Sequence, residues 1–179
     1  MAGGNFLTFW TELLHLPGFE VAHVYEDSDL KRLFVTVVPK QSVGVCPHCG
    51  RVCDHVKQRR TRDRIQDLSI GRNAVELKVR IDQLECRSCE RCFTPPLAFL
   101  AEGSHATERF LERAAQLIRQ SDVLNASRFL GVAEKTLDDW YYDYVERQQQ
   151  QALAARPKPI RRLGIDELSL KKSIASSSP

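Results

Sequence analysis

Two cysteine pairs constrain this chain more than any other feature: Cys46-Pro-His-Cys49 and, after a long intervening stretch, Cys86-Arg-Ser-Cys89. A C-x2-C turn brings two thiolates to one side of a tight bend. Two such turns facing each other can close a tetrahedral shell around Zn²⁺, with Zn–S distances of about 2.3 Å. Residues 46 to 89 therefore read as a zinc ribbon, set against the alternative that the thiols are small buried hydrophobes or redox groups. Cys53 and Cys92 follow closely behind the two pairs, so four of six thiols must be chosen, and His48 or His55 could substitute. A binuclear six-cysteine cluster is a further arrangement, although its usual spacing differs. The selected set is Cys46, Cys49, Cys86 and Cys89, because each pair spans the polar turn a knuckle needs, while Cys53 and Cys92 sit where strands should begin or end. Four thiolates leave no open position for water or substrate, so the zinc is expected to be structural.

Around this knot the chain reads as α+β. Phe6, Leu7, Trp10, Leu13, Leu14 and Leu16 recur at helical spacing over residues 5 to 16 and stop at Pro17-Gly18. Phe19, Val21, His23 and Tyr25 then alternate with Glu20, Ala22, Val24 and Glu26, and a turn near Asp27 leads into the apolar run Leu33 to Val38. This predicts a helix and a β-hairpin in residues 1–40, serving as core or as an oligomerisation surface. In the ribbon, residues 41–97, Val75, Leu77, Val79 and Ile81 share one face of a strand, and Gly71 to Asn73 turn it back onto Arg64 to Leu68. That apolar face is thin for a core, so metal would supply much of the folding energy.

Pro95-Pro96 ends the ribbon, and an all-α helix-turn-helix unit is expected over residues 104–150. Phe110, Leu111, Ala114, Leu117 and Ile118 form a helical stripe starting at Thr107. Ala126 permits a close crossing, Gly131 opens a turn, and Val132, Leu137 and Trp140 pack the next helix. Residues 151–162 read as a basic linker around Arg156-Pro-Lys-Pro159, and residues 163–179 as a strand followed by a tail of small residues. The first ten residues do not form a secretory signal, and no stretch approaches the ~20 apolar residues of a membrane span. The expected location is cytoplasmic and nucleoid-associated, where paired cysteines hold metal rather than disulfides.

A net charge of +3 is too mild to name a nucleic-acid partner by itself, so local charge must carry that case. Lys57, Arg59, Arg60, Arg62 and Arg64 crowd the ribbon's first arm, broken among charged positions by Asp63 alone. Arginines on a rigid hairpin can grip phosphates in bidentate fashion; the plainer reading is a solvated face. Residues 134 to 147 carry Glu134, Asp138, Asp139, Asp143 and Glu146 against Lys135 and Arg147, which repels a phosphate backbone along most of that helix. DNA contact there falls to its first turn, Lys135 and Thr136, with Ser127 and Arg128 beside it. Asp166, next to Glu167 in a short strand, is either an ordinary paired carboxylate or the kind of residue with which a two-metal nuclease begins.

The order of these parts resembles the N-terminal portion of ISL-three family insertion-sequence transposases: Cys-Pro-His-Cys-Gly, a hairpin with Asp67-Leu68 before a glycine turn, Cys-x2-Cys followed by Phe93, a helix-turn-helix, then Leu-Gly-Ile-Asp-Glu ending at residue 167. The resemblance implies zinc on Cys46, Cys49, Cys86 and Cys89, double-stranded DNA as partner at the terminal inverted repeats, and Asp166 as the first carboxylate of a DDE triad in an RNase-H-like domain. It further implies Mg²⁺ in a full-length relative. No acid follows Lys172, so the expectation is a truncated product, without strand-transfer activity as it stands, that binds element ends and could form a homodimer. The alternative is a non-catalytic zinc-ribbon interaction module in a nucleic-acid machine.

Overall fold

The computed structural model describes residues 3–155 except residue 102, with side chains from residue 6 onward. Asp166, the linker beyond residue 155 and the expected strand of residues 163–179 lie outside the described residues.

The N-terminal helix α1 (Gly3–Leu14) is apolar on nearly every side. It lays Leu7, Trp10 and Leu14 on the sheet and leaves Phe6, Phe9 and Leu13 facing outward. Thr11 ties it to the next element, its hydroxyl donating to the Leu7 carbonyl and accepting from the Val21 N–H, each at 2.9 Å. The strands β1 (Phe19–Asp27) and β2 (Arg32–Pro39) form the expected hairpin. One detail departs from the simple alternation: a bulge between Val21 and His23 shifts the phase. Phe19 and Val21 point to the core as expected, but beyond the bulge Val24 packs inward and His23 and Tyr25 are exposed. An inserted residue in a strand exchanges its two faces, and nothing in a period-two pattern announces it.

The ribbon contributes β3 (Gly44–Val45), β4 (Val52–Cys53), the long strands β5 (Val56–Ile70) and β6 (Asn73–Glu85), and β7 (Cys92–Phe93). The expected hairpin around Gly71 is present, with Ile70 opposite Asn73. Its pairing partner is the surprise. The inner strand β6 runs parallel to β2, with Leu33 opposite Val75 and Val35 opposite Leu77, giving a sheet of order β1-β2-β6-β5 with β7 paired to the end of β6. Residues 1–40 and the ribbon arms thus share one sheet. Val75, Leu77 and Val79 are fully buried with Val35, Val37 and Ile65, so the ribbon's apolar face is not thin. Each such side chain contributes roughly 1.5–3 kcal/mol on burial.

Three helices follow: α2 (Glu108–Gln120), α3 (Val123–Leu130) and α4 (Glu134–Ala155). Thr107 caps α2 as expected, and the polar break before α3 proves to be its cap, Asp122 accepting from the Asn125 N–H at 2.7 Å. Gly131 ends α3 at φ 67°, where a side chain would be strained, and its N–H reaches the Ser127 carbonyl. Ala114, Ala126 and Leu137 interlock where the helices cross, and Phe110 and Leu111 pack against Trp140 and Tyr144. The fold class is α+β, a mixed sheet with four helices.

Candidate metal centre and nucleic-acid interface

Each cysteine pair sits on a knuckle, and the two knuckles are built alike. In the first, the Cys46 N–H donates to the Arg51 carbonyl at 2.8 Å and the Gly50 N–H donates to the Cys46 carbonyl at 2.9 Å; in the second, the Cys86 N–H donates to Arg91 at 2.9 Å and the Glu90 N–H to Cys86 at 2.7 Å. Gly50 and Glu90 occupy the same left-handed position, at φ 73° and 57°. Each knuckle closes a two-residue ladder, β3 with β4 and β6 with β7. Cross-contacts join them: the Arg51 guanidinium donates to the Ser88 hydroxyl at 2.7 Å, and Arg91 reaches the His48 ring at 3.3 Å.

The four sulfurs of Cys46, Cys49, Cys86 and Cys89 lie within 4.8 Å of one another. Cys46 is 3.7 Å from Cys89 and Cys49 is 3.5 Å from Cys86. A zinc tetrathiolate with bonds of about 2.3 Å requires sulfurs about 3.8 Å apart, so this donor set fits tetrahedral Zn²⁺ with little adjustment. Among the described residues this is the single group of three or more His, Cys, Asp or Glu placed to hold a metal.

Proton affinities divide the set in two. The backbone N–H groups of Ser88 and Cys89 bring the Cys86 thiol down to about 6 against opposing burial. Burial raises Cys46, but the N–H groups of His48 and Cys49 outweigh it and leave it lowered. At Cys89 the N–H of Arg91 favours the thiolate, yet burial and the neighbouring sulfurs dominate and hold it at about 12; Cys49 is raised in the same way. The surroundings thus favour the thiolate at Cys86 and Cys46 and oppose it at Cys49 and Cys89, and metal binding releases whatever protons the set retains. Cys53 is likewise pushed up, to about 11, by burial, and is set apart by position instead: its thiol donates to the Arg51 carbonyl in a small core with Leu84 and Phe93. Cys92 is exposed, and His48 and His55 are held by Arg91 and Arg87. None of these four is in the sulfur cluster.

The basic arm lies on β5. Arg59, Arg60 and Arg64 are exposed, Arg60 bracing on the Gln58 carboxamide and Arg64 riding a bulge at φ 59°. Lys57 pairs with Glu85 at 3.0 Å. Arg62 is partly buried, its guanidinium donating to the Ser104 carbonyl at 2.8 Å. On the helices, Arg128 is exposed, and Lys135 is 89% exposed with a loose contact to Asp139 at 3.6 Å. Thr136 is half-buried, and Ser127 is buried with its hydroxyl turned onto the Leu124 carbonyl. Two of the nine named side chains, Arg62 and Ser127, are therefore occupied inside the protein.

A buried group that residue-by-residue reading passes over is Asp67. It receives Thr107 and Arg109 where α2 meets β5. The available signal was the strand's alternation, which puts Asp67 on the same face as Ile65.

Residues 42–89 match the family model described as the zinc-finger of transposase IS204/IS1001/IS1096/IS1165. The chain is also 28% identical over 158 residues to the transposase for insertion sequence element IS1001 of Bordetella parapertussis, an alignment covering 87% of this chain and 37% of that protein. No solved structure matches the chain. Both comparisons show the likeness of this chain to insertion-sequence transposases, and the family model shows the ISL-three zinc ribbon over residues 42–89.

Proposed function

We propose that the described residues are the DNA-binding part of an insertion-sequence transposase and recognise the terminal inverted repeats of its element as double-stranded DNA. The observation that supports this reading is the arrangement of α3 and α4 around Gly131, which we read as a helix-turn-helix: α4 presents Lys135 in its first turn while Arg128 stands exposed on α3. Of the acids on α4, Asp143 and Glu146 line a hollow beside Gly103, whereas Glu134 shares the first turn with Lys135 and Asp139 lies 3.6 Å from it. Contact with DNA there rests on Lys135 and Thr136, which must outweigh Glu134 and Asp139 beside them. The zinc ribbon holds β5 rigid so that Lys57, Arg59, Arg60 and Arg64 lie along phosphates, each contact adding about 0.9 to the log–log salt slope. Strand transfer with Mg²⁺ on a carboxylate triad, with Asp166 as its first member, is proposed for a full-length relative and is no part of this reading.

A second reading, a zinc-ribbon interaction module or a homodimer, draws on the outward stripe of Phe6, Phe9 and Leu13, each about half exposed at 53%, 56% and 48%. Fluorescence anisotropy separates the two. On an element-end duplex, Lys135→Ala is expected to weaken binding by about 1 kcal/mol or more, and Arg59→Ala with Arg60→Ala to flatten the salt slope by about 2. Unchanged affinity and slope in all three would favour the interaction module.

A further inference from the structure

A buried carboxylate meets a partly exposed guanidinium where α1, β5 and α2 converge. The Asp67 side chain has no exposed surface, and Arg109 grips it with both arms of its fork. One carboxylate oxygen accepts from Arg109 Nε and from the Thr107 hydroxyl, both at 2.7 Å; the other accepts from Arg109 Nη2. The remaining nitrogen, Nη1, donates to the carbonyl of Leu14, the last residue of α1, at 2.6 Å. Thr107 is also the cap of α2, accepting from the Phe110 N–H at 3.3 Å. Main-chain bonds complete the seam: the Thr107 N–H donates to Gln66 at 2.9 Å, and the Gln66 N–H donates to His105 at 2.8 Å.

The two apolar cores on either side are separate. The sheet core ends with Phe99 and Leu100, and the helical cores begin at Ala101 and share no residue with it. What joins the two halves is therefore polar and directional. An ion pair on a buried carboxylate adds little net stability over an apolar replacement of the same volume, but it tolerates few geometries, since displacing Arg109 leaves the fully buried Asp67 carboxylate without its counter-charge. Two units joined by a strap and a small contact would otherwise move relative to each other.

We propose that Asp67 and Arg109 are positioning residues for DNA recognition: their pair locks the start of α2 onto β5, so that the basic arm and the first turn of α4 meet one duplex in a fixed register. The proposal rests on the DNA-binding reading above. Its variant of choice is Arg109→Lys, which keeps the charge and loses the fork, with Asp67→Asn as the harsher companion.

The test has two arms. In hydrogen exchange on the zinc-loaded protein, Arg109→Lys is expected to speed exchange at the amides of Gln66 and Thr107 by about tenfold while Leu77 and Val79 stay protected. In DNA binding, five base pairs are inserted between the two patches that the protein shields on an element end, turning one patch to the far side of the duplex. The wild type should lose about tenfold or more in affinity on insertion, and Arg109→Lys should lose much less because its halves are free to adjust. An insertion penalty equal to that of wild type would overturn the positioning role, as would unchanged exchange at Gln66 and Thr107. If the wild type shields no element end, the DNA-binding reading fails, and exchange alone then decides whether the pair is a lock. Should Asp67→Asn fail to fold, Arg109→Lys carries both arms.

Discussion

At the residue scale the six cysteines separate into four candidate ligands and two others by where each sulfur lies. Cys86 and Cys46 receive backbone N–H groups that favour the thiolate, whereas Cys53 is a neutral thiol in an apolar cluster. Cys86→Ser should therefore abolish zinc retention, and Cys53→Ala should leave one equivalent bound, measured by metal analysis after gel filtration. The pH dependence follows from the lowered Cys86. A folded-state value of about 6 lies below the ordinary 9.0, so the stabilisation from its thiolate is fully present above about 9 and is lost as pH falls through about 6. Zinc release is expected on acidification, with protons taken up as they displace the metal from the thiolates; retention independent of pH would contradict it. The grouping of Cys46, Cys49, Cys86 and Cys89 was legible in the sequence because C-x2-C spacing is local. Asp67 was not, because its partner lies 42 positions away and no short pattern records a pair of that separation.

At the scale of elements, close approach explains a small residue that no motif required. Gly44 begins β3 directly against the ribbon core: a Cβ there would meet Pro95 Cγ at 2.9 Å, Leu84 Cδ1 at 3.1 Å and Phe93 Cε2 at 3.2 Å. Gly44→Ala should cost about 1–3 kcal/mol as overpacking, read as faster loss of zinc to a chelator. In the helical unit Leu137 is fully buried between Ala114 and Ala126, and Leu137→Ala should destabilise it by about 2–5 kcal/mol in thermal unfolding while zinc stays bound. Helices and hairpins were legible because periods of 3.6 and 2 are properties of a few neighbouring residues. The bulge at Val21 and the left-handed Arg64 were not, since each inserts a residue without a glycine to mark it.

For the whole molecule, the parallel pairing of β2 with β6 changes what the metal does. Apolar runs state that strands exist and are silent on which strands meet, so the ribbon read alone looked dependent on zinc for its core. In the fold the sheet core and the four-cysteine cluster are distinct, and Val75, Leu77 and Val79 are buried by α1 and the first hairpin. Chelation should accordingly loosen the knuckles and the ends of β5 and β6 while the far-UV signal of the sheet and helices largely persists; global unfolding on chelation would contradict this separation. The account as a whole joins a metal-braced basic arm and a helix-turn-helix into one reader of element ends. It is tested most directly by affinity for an element-end duplex against a scrambled duplex of equal length at two salt concentrations. The expected result is tighter binding to the end by about 4 kcal/mol or more, with a salt slope common to both duplexes; equal affinity for the two at both salts would contradict it.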